Sequence, residues 1–241
     1  MSSTLLIKNK IKKFNKKINI TGDKSLSIRW VLLASQATGI SKAYNLLMSE
    51  DVLAAIDSIK KLGIRVKMYK NYCQIFGNGI NGFKFKKNLT IDAGNSGTLG
   101  RLILGLLIKS PHKIKLIGDK SLSKRDFSRV TKPLQKLGAK FYYKKKNKLP
   151  LSILGSKSLA NIDYLENKGS AQCKSSIMLA ALNSLGTTSI KAKKSRNHTE
   201  LLFKYLKIFI KVKKTKKYDF INIKRPKKIE AFNYQIPGDI S

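Results

Sequence analysis

The chain has 241 residues, of which 42% are hydrophobic and 8% aromatic, a composition that excludes a disordered or collagen-like chain. Its longest apolar run, residues 102–108, is far shorter than the roughly 20 residues that a membrane-spanning helix requires. Lysine and arginine number 50 against 13 acidic residues, which gives a net charge of +37.

This positive charge suggests a nucleic-acid partner, because basic chains bind phosphate backbones. However, the lysines are spread along the whole chain, and no zinc-finger spacing, basic zipper or aromatic RNA-binding motif accompanies them. We therefore favour a solvated lysine surface and expect no nucleic acid and no membrane as partners. Two cysteines are too few for a disulfide framework, and charges interrupt the N-terminus where a signal peptide is apolar. These features predict a cytoplasmic protein.

Taken in chain order, the predicted elements repeat three times. Each repeat opens with an apolar helix, continues with a strand and an amphipathic helix, and ends with two strands around a turn. The predicted apolar helices span 24–38, 95–108 and 170–185, and the amphipathic helices span 50–63, 125–138 and 197–209. The hexapeptide GDKSLS also occurs twice, at 22–27 and 118–123, but at different places within the repeat. We interpret that identity as local.

The starts of the three apolar helices indicate a binding site for anions. Each begins with Ser, Gly, Thr or Asn, whose backbone N–H groups lie at the positive end of the helix dipole. Ordinary N-capping explains one such start, but three related starts favour a phosphate or carboxylate site. Ser25 and Arg29 share one helix face, and a buried Arg29 is costly without an anionic partner.

Six stretches of the sequence occur in an order typical of one enzyme family. They are TGDKSLSIRWVLLASQATG, DAGNSGTLGRLILGLL, IGDKSLSKRDFSRVTKPLQKLGA, KGSAQCKSSIMLAALNSLG, SRNHTE and QIPGDIS. From about residue 20 onwards the chain resembles the 5-enolpyruvylshikimate-3-phosphate synthases, in the bacterial variant with SAQ-x-K-S. The sister UDP-N-acetylglucosamine enolpyruvyl transferases have a Lys-Asn pair at the first helix and a reactive loop cysteine. Neither Cys73 nor Cys173 suits that role, and both are expected to be inert.

The resemblance implies an α/β (α+β) fold of two similar domains. Each domain is expected to contain three βαββαβ units around buried parallel helices. Residues 21–234 then form the first domain, and residues 1–20 and 235–241 are remnants of the second, which is otherwise missing. The final QIPGDIS is a helix start in the family, so we expect a truncated chain or one piece of a split enzyme.

The resemblance also implies substrate-binding residues. Those expected to bind shikimate 3-phosphate are Lys24, Ser25, Arg29, Ser170, Ala171, Gln172 and Ser195, with Arg196 in the same stretch. Those expected to bind phosphoenolpyruvate are Lys24, Gly97 and Arg125. No catalytic residue is expected here, because the family's acid and base carboxylates come from the second domain.

Two positions near these motifs need a separate interpretation. Asp126 stands where the family usually has proline, and its carboxylate could draw the guanidinium of Arg125 towards itself. His198, in the SRNHTE stretch, is interpreted as a capping residue or a hydrogen-bonding group near the substrate, and not as a metal ligand.

The implied reaction transfers the enolpyruvyl group of phosphoenolpyruvate to the 5-hydroxyl of shikimate 3-phosphate and releases phosphate. The reaction needs no metal and no organic cofactor. The full-length protein is expected to be a monomer, and this chain alone is expected to be inactive without a complementing second-domain chain. The alternatives are a non-catalytic anion-binding protein, either a stand-alone domain or half of a split enzyme, and a lysine-rich nucleic-acid-binding protein.

Overall fold

The computed structural model describes residues 20–239 and the single positions 6, 13 and 15. Its helices are α1 (Lys24–Ser35), α2 (Glu50–Lys61), α3 (Gly97–Leu106), α4 (Lys120–Lys124), α5 (Ser128–Lys136), α6 (Ala171–Ala181) and α7 (His198–Tyr205). Its strands are β1 (Thr38–Tyr44), β2 (Arg65–Met68), β3 (Tyr72–Asn78), β4 (Thr90–Asp92), β5 (Ile114–Ile117), β6 (Lys140–Tyr143), β7 (Leu151–Leu154), β8 (Asp163–Glu166), β9 (Thr187–Lys193), β10 (Ile210–Lys214), β11 (Tyr218–Lys224) and β12 (Asn233–Gln235). The fold is therefore mixed α/β, as predicted.

The strands form three four-stranded sheets with the same internal order. The orders are β12-β1-β3-β2, β4-β5-β7-β6 and β8-β9-β11-β10. In each sheet the strand that follows the buried helix (β1, β5 or β9) pairs in parallel with the first strand of the order given above. On its other side it pairs antiparallel with the second strand of the final hairpin, whose two strands are also antiparallel. The three repeats predicted from the sequence are confirmed.

The order of elements within a unit differs from the expected βαββαβ. The second and third units run strand, buried helix, strand, amphipathic helix and two strands, or βαβαββ, with the short α4 added in the second. Both orders place a strand before the buried helix, which supplies the crossover connection that a parallel pair needs. They differ in that the amphipathic helix precedes both strands of the final hairpin, which can follow each other directly because an antiparallel pair needs only a turn. In the first sheet the strand that corresponds to the one before the buried helix is β12, which returns from the far end of the described chain to pair with β1.

The three apolar helices form the centre of the molecule. From Leu26 to Ser35 every residue of α1 is buried, and α3 and α6 are buried from Leu99 and from Cys173 onwards. Helix α3 packs against both α6 and α1. Since these helices are apolar on all sides, their sequences fit a position surrounded by other elements. The residues left partly or fully exposed at their N-terminal ends are Lys24, Ser25, Thr98, Ala171 and Gln172.

The ends of the described region lie together. Gly22 and Gly238 form an antiparallel bridge, and the Asp23 amide donates to the Pro237 carbonyl at 2.9 Å. The expected second-domain remnant at 1–20 lies outside the described residues, apart from Ile20 and the three single positions, and so do residues 240 and 241. Within the described residues, no helix is long and apolar enough to cross a lipid bilayer.

Candidate functional site

A cavity of about 220 Å³ lies where the first turns of α1, α3 and α6 meet the start of α7. Its lining residues are Ser25, Arg29, Thr98, Ser170, Ala171, Gln172, Arg196 and His198. The N-terminal ends of α1, α3 and α6 all reach this cavity. Their N–H dipoles therefore point positive ends towards one space, as an anion site requires.

Arg29 is the buried cation of this cavity. Its side chain crosses from α1 to the other elements, where Nε donates to Thr199 Oγ1 at 2.8 Å and Nη2 donates to Ser175 Oγ at 3.1 Å. Nη1 donates to the Ser25 carbonyl at 2.9 Å. A guanidinium has five N–H donors, so two are left for a ligand. Burial lowers the pKa of Arg29 to about 10, a value that still leaves the guanidinium cationic at neutral pH.

No carboxylate among the described residues forms an ion pair with Arg29. The nearby acid, Glu200, is paired instead with Lys174, whose Nζ lies 2.6 Å from Glu200 Oε1. Both side chains are almost fully buried, at 0% and 5% exposure. A buried cation that meets only neutral groups is costly unless a ligand supplies the negative charge. The expected need of Arg29 for an anionic partner is therefore not met by the described part of the chain itself.

Gln172 joins the cavity to a second buried arginine. Its Oε1 accepts from Arg101 Nη1 at 2.8 Å, and its Nε2 donates to Thr98 Oγ1 at 3.1 Å. The two contacts fix which end of the amide is the oxygen, because the arginine can only donate. Burial, Arg129 and Arg125 lower the pKa of Arg101, since two neighbouring cations disfavour its charge. Arg101 is 7% exposed, so this side of the site is also positive and enclosed.

Gly97 allows two arginines to converge. A Cβ atom at this position would lie 2.9 Å from Nη1 of Arg101 and 2.9 Å from Nη1 of Arg125, so the ends of both arginine side chains would have to move. Arg125 itself is exposed, and its hydrogen bond, from Nη2 to Asn95 Oδ1, is long at 3.5 Å. The expected pair Gly97 and Arg125 thus lies together, with Arg101 added.

Lys24 lies at the start of α1, outside the lining of the cavity. Its Nζ contacts Asp51 Oδ2 at 3.0 Å, at the first turn of α2, and its side chain is half exposed. The ammonium is therefore held next to the site by a surface ion pair that a ligand's negative charge could replace.

Ser170 has a firmly fixed side chain. As the N-cap of α6 its Oγ accepts from the Cys173 amide at 3.2 Å, and its own amide donates to Glu166 Oε2 at 3.0 Å. The hydroxyl proton has no acceptor in these contacts and can be donated to a bound oxygen.

The SRNHTE stretch contributes to the cavity through Arg196 and His198. Ser195, which the resemblance included, does not line the cavity, although its buried Oγ has no hydrogen-bond partner among the described residues. Thr199, in the same stretch, accepts a hydrogen bond from Arg29 Nε. Sequence reasoning included this stretch but not that contact.

Two further expectations concern residues around the site. Asp126 does not draw Arg125 away: its carboxylate accepts from the Ser128 amide at 2.5 Å, and no ion pair with Arg125 is found in the described structure. Hydrogen bonds from Ser128 lower the pKa of Asp126, which keeps it ionised at the start of α5.

Burial raises the pKa of both cysteine thiols, Cys73 and Cys173, to about 12, as expected of inert thiols.

Sequence reasoning missed Thr98 and Arg101, yet a signal for Arg101 is present. Each central helix carries one buried cation in its first two turns, Arg29, Arg101 or Lys174, which lies four residues after Ser25, Gly97 or Ser170 respectively. No group of three or more His, Cys, Asp or Glu side chains that could hold a metal ion occurs among residues 20–239.

Comparison with known proteins gives a consistent result. The sequence model of the family described as EPSP synthase (3-phosphoshikimate 1-carboxyvinyltransferase) matches residues 8–241. The 3-phosphoshikimate 1-carboxyvinyltransferase of Bacillus subtilis is 37% identical over 236 residues, which are 97% of this chain and 54% of that protein. The protein of the same description from Ruthia magnifica is 39% identical over 226 residues, 93% of this chain and 50% of that one.

A solved structure also matches. The EPSP synthase of Acinetobacter baumannii superimposes with a TM-score of 0.85 at 33% sequence identity, over 93% of this chain and 50% of that one. The chain therefore spans about half the length of the relatives that it matches.

Proposed function

The chain belongs to the EPSP synthase family, and from this premise we propose that it is the shikimate-3-phosphate-binding half of an enolpyruvyl transferase. One observation carries the proposal: Arg29 is 4% exposed, lacks an ion-pair partner in the described structure and lies in a cavity lined by polar groups. The chain covers about half of its relatives, so the complete reaction is proposed for the assembled protein.

Shikimate 3-phosphate suits this cavity because it carries a carboxylate and a phosphate at opposite sides of a small ring. The free N–H donors of Arg29 would bind the planar carboxylate, together with the Ser25 hydroxyl. Ser170, Ala171 and Gln172 would hold the phosphate and a ring hydroxyl at the first turn of α6, where the helix dipole favours negative charge. Arg196, just before α7, would approach the phosphate, and the resemblance adds Ser195, which lies outside the cavity lining.

Phosphoenolpyruvate would lie over Gly97, between Arg101, Arg125 and Lys24. The two arginine side chains already approach the space above this glycine within 2.9 Å. Lys24 would leave Asp51 and place its ammonium between the anionic groups of the two substrates. Bringing two highly charged substrates together is the main electrostatic difficulty of the reaction, and these cations would reduce it.

In the proposed reaction, C3 of phosphoenolpyruvate gains a proton while the 5-hydroxyl oxygen of shikimate 3-phosphate loses its proton and bonds to C2. The tetrahedral intermediate then loses phosphate, and a proton leaves C3 to restore the double bond. The described residues that line the cavity include no carboxylate, so proton transfer would depend on groups from a second domain. Closure of that domain over the cavity would exclude water and orient both substrates.

A complementation assay tests this proposal. Phosphate release is measured in the presence of both substrates, first with the 241-residue chain alone. It is then measured after mixing the chain with the separately produced C-terminal half of a relative such as that of Bacillus subtilis. Activity is expected only in the mixture, and Arg29→Met should abolish it. Full activity of the chain alone would contradict the proposed division of roles.

The two alternatives give different results in the same preparation. A stand-alone anion-binding domain would bind shikimate 3-phosphate without any gain of activity on mixing. A nucleic-acid-binding protein would bind oligonucleotides with an affinity that falls steeply with salt and does not depend on Arg29. We propose a monomeric, cytoplasmic enzyme when both halves are present.

A further inference from the structure

The first residue of α7, His198, lines the cavity, and one of its ring nitrogens lacks a hydrogen-bond partner among the described residues. Its Nδ1 atom is shielded from solvent and has no hydrogen bond to any described residue. Buried polar atoms are nearly always hydrogen-bonded, because leaving one unpaired forfeits its interaction with water. His198 therefore combines a position in the cavity lining with a ring nitrogen whose hydrogen-bonding capacity no described residue uses.

Burial, and then the charges around the ring, set its protonation state. Arg29 faces it from α1 and Arg196 from the loop before α7, while Asp23, at the start of α1, and Glu200, on α7, act in the opposite sense. Glu200 is already paired with Lys174, which limits its influence. Burial and Arg29 lower the pKa of His198 below its usual 6.5, so the ring is neutral at pH 7 when the cavity is empty.

We propose that His198 binds the phosphate group of the substrate as an imidazolium and takes up a proton from solvent as the phosphate dianion enters the cavity. The inference rests on the proposed function and extends it to the protonation state of the site. A neighbouring dianion stabilises the charged ring, as opposite charges within 4–6 Å shift a pKa by about 1 to 3. The added positive charge also offsets the electrostatic repulsion among the phosphate oxygens.

The sign of the pH effect follows from these two states. The pKa of His198 is lowered in the free protein and raised in the complex, so the complex holds more protons between the two values. Affinity for a dianion should therefore increase as the pH falls through this window, by up to about tenfold per pH unit, and should level off below the lower pKa.

Proton NMR can follow this residue directly, because the chain has only two histidines. His112 lies beyond the C-terminal end of α3, whereas the cavity lies at the N-terminal end, and so it serves as an internal control. The ring C2–H resonances of the full chain are titrated between about pH 5 and 8, with and without shikimate 3-phosphate. His112→Asn and His198→Asn assign the two signals. We expect the pKa of His198 to rise by about 1 or more and that of His112 to stay constant.

Binding of inorganic sulfate distinguishes the titration of the His198 ring from the titration of the ligand's own phosphate group. Phosphate monoesters gain a proton near pH 6, whereas sulfate stays a dianion over this range. Sulfate should bind the chain more tightly as the pH falls from 8 to about 5.5, and His198→Asn should remove this dependence. Calorimetry of shikimate 3-phosphate in buffers of different ionisation enthalpy should show proton uptake that the same substitution abolishes.

Phosphorus NMR of shikimate 3-phosphate, recorded on the same samples, distinguishes two failures. If the ligand binds but the pKa of His198 does not change, this inference is overturned and the proposed function stands. If the folded chain does not bind the ligand, both are overturned.

Discussion

Arg29 and Arg125 are both proposed to bind substrate, but the fold holds them very differently. Arg29 is buried and makes three hydrogen bonds of 2.8–3.1 Å to α1, α6 and α7. Arg125 is exposed and makes one hydrogen bond of 3.5 Å. The side of the site proposed to bind shikimate 3-phosphate is therefore built by the core of this chain, while the side proposed to bind phosphoenolpyruvate, apart from the buried Arg101, is open to the surface.

This difference shows which of the proposed substrate-binding side chains are ordered before the ligand binds. Ordering the Arg29 side chain has been accomplished during folding, so a ligand meets a preformed donor array. The side chains of Arg125 and Lys24 still have to be ordered by the ligand, and Lys24 must first leave Asp51. Each of the following substitutions tests one side of this comparison.

The largest effect is expected at the buried ion pair behind the cavity. Glu200→Gln leaves the Lys174 ammonium uncompensated inside the protein, which typically costs about 3–5 kcal/mol of stability. Urea unfolding followed by circular dichroism measures this loss. The double variant Lys174→Met/Glu200→Leu is the control and should recover most of it, because an apolar pair needs no compensating charge. A loss below 1 kcal/mol in the single variant would contradict the role of this pair.

Arg29→Met should separate binding from stability. Charge-assisted hydrogen bonds contribute about 1.5–3 kcal/mol each, so losing the contacts to the substrate carboxylate should weaken shikimate 3-phosphate binding by tenfold or more. The melting temperature should stay constant or rise, because an unpaired buried cation is removed and Thr199 still donates to Ser175 at 2.8 Å. Calorimetry and thermal unfolding give the two values. A variant that binds normally would refute the assigned role.

Gly97→Ala tests the open side. The added Cβ would push away Nη1 of Arg101 and of Arg125, both at the ends of flexible side chains, so we expect a stability change below about 1 kcal/mol. Phosphoenolpyruvate binding in the presence of shikimate 3-phosphate should be lost. Gly100→Ala is the matched control on the same helix, because its Cβ would have ordinary contacts of 3.5 Å or more. Equal effects of both substitutions would show that the helix, and not the arginine pair, is sensitive.

The smallest effect is expected for Asp51→Asn. The pair of Lys24 and Asp51 lies at the surface, where ion pairs contribute about 0–1 kcal/mol. Urea unfolding should detect little change, in contrast to Glu200→Gln. A loss of several kcal/mol would show that this side is as firmly held as the core.

The sequence was most informative where local pattern and burial coincide. All three apolar helices were predicted near their observed positions, because an apolar helix start is visible in a few residues. The first was predicted to reach residue 38, but α1 ends at Ser35 and β1 begins at Thr38. The outer strands β4 and β12 have only three residues each, and β12 pairs with a strand about 190 residues away, so no local pattern predicts it.

The two GDKSLS copies show the limit of local reasoning. In both, the aspartate caps a helix by accepting from the leucine amide three residues later, at 2.5 Å for Asp23 and 2.6 Å for Asp119. The first copy continues into the buried α1, whereas the second gives the five-residue α4, since a charged stretch follows it. Contacts such as Arg29 to Thr199 join residues 170 positions apart and require the fold.

A titration of the unmodified chain with each substrate alone tests the central comparison most directly. Calorimetry should show shikimate 3-phosphate binding at least about tenfold more tightly than phosphoenolpyruvate, because one preformed charge-assisted hydrogen bond already contributes that much. Phosphoenolpyruvate binding as tightly as shikimate 3-phosphate, or no binding of shikimate 3-phosphate to the folded chain, would contradict a preformed cavity around Arg29.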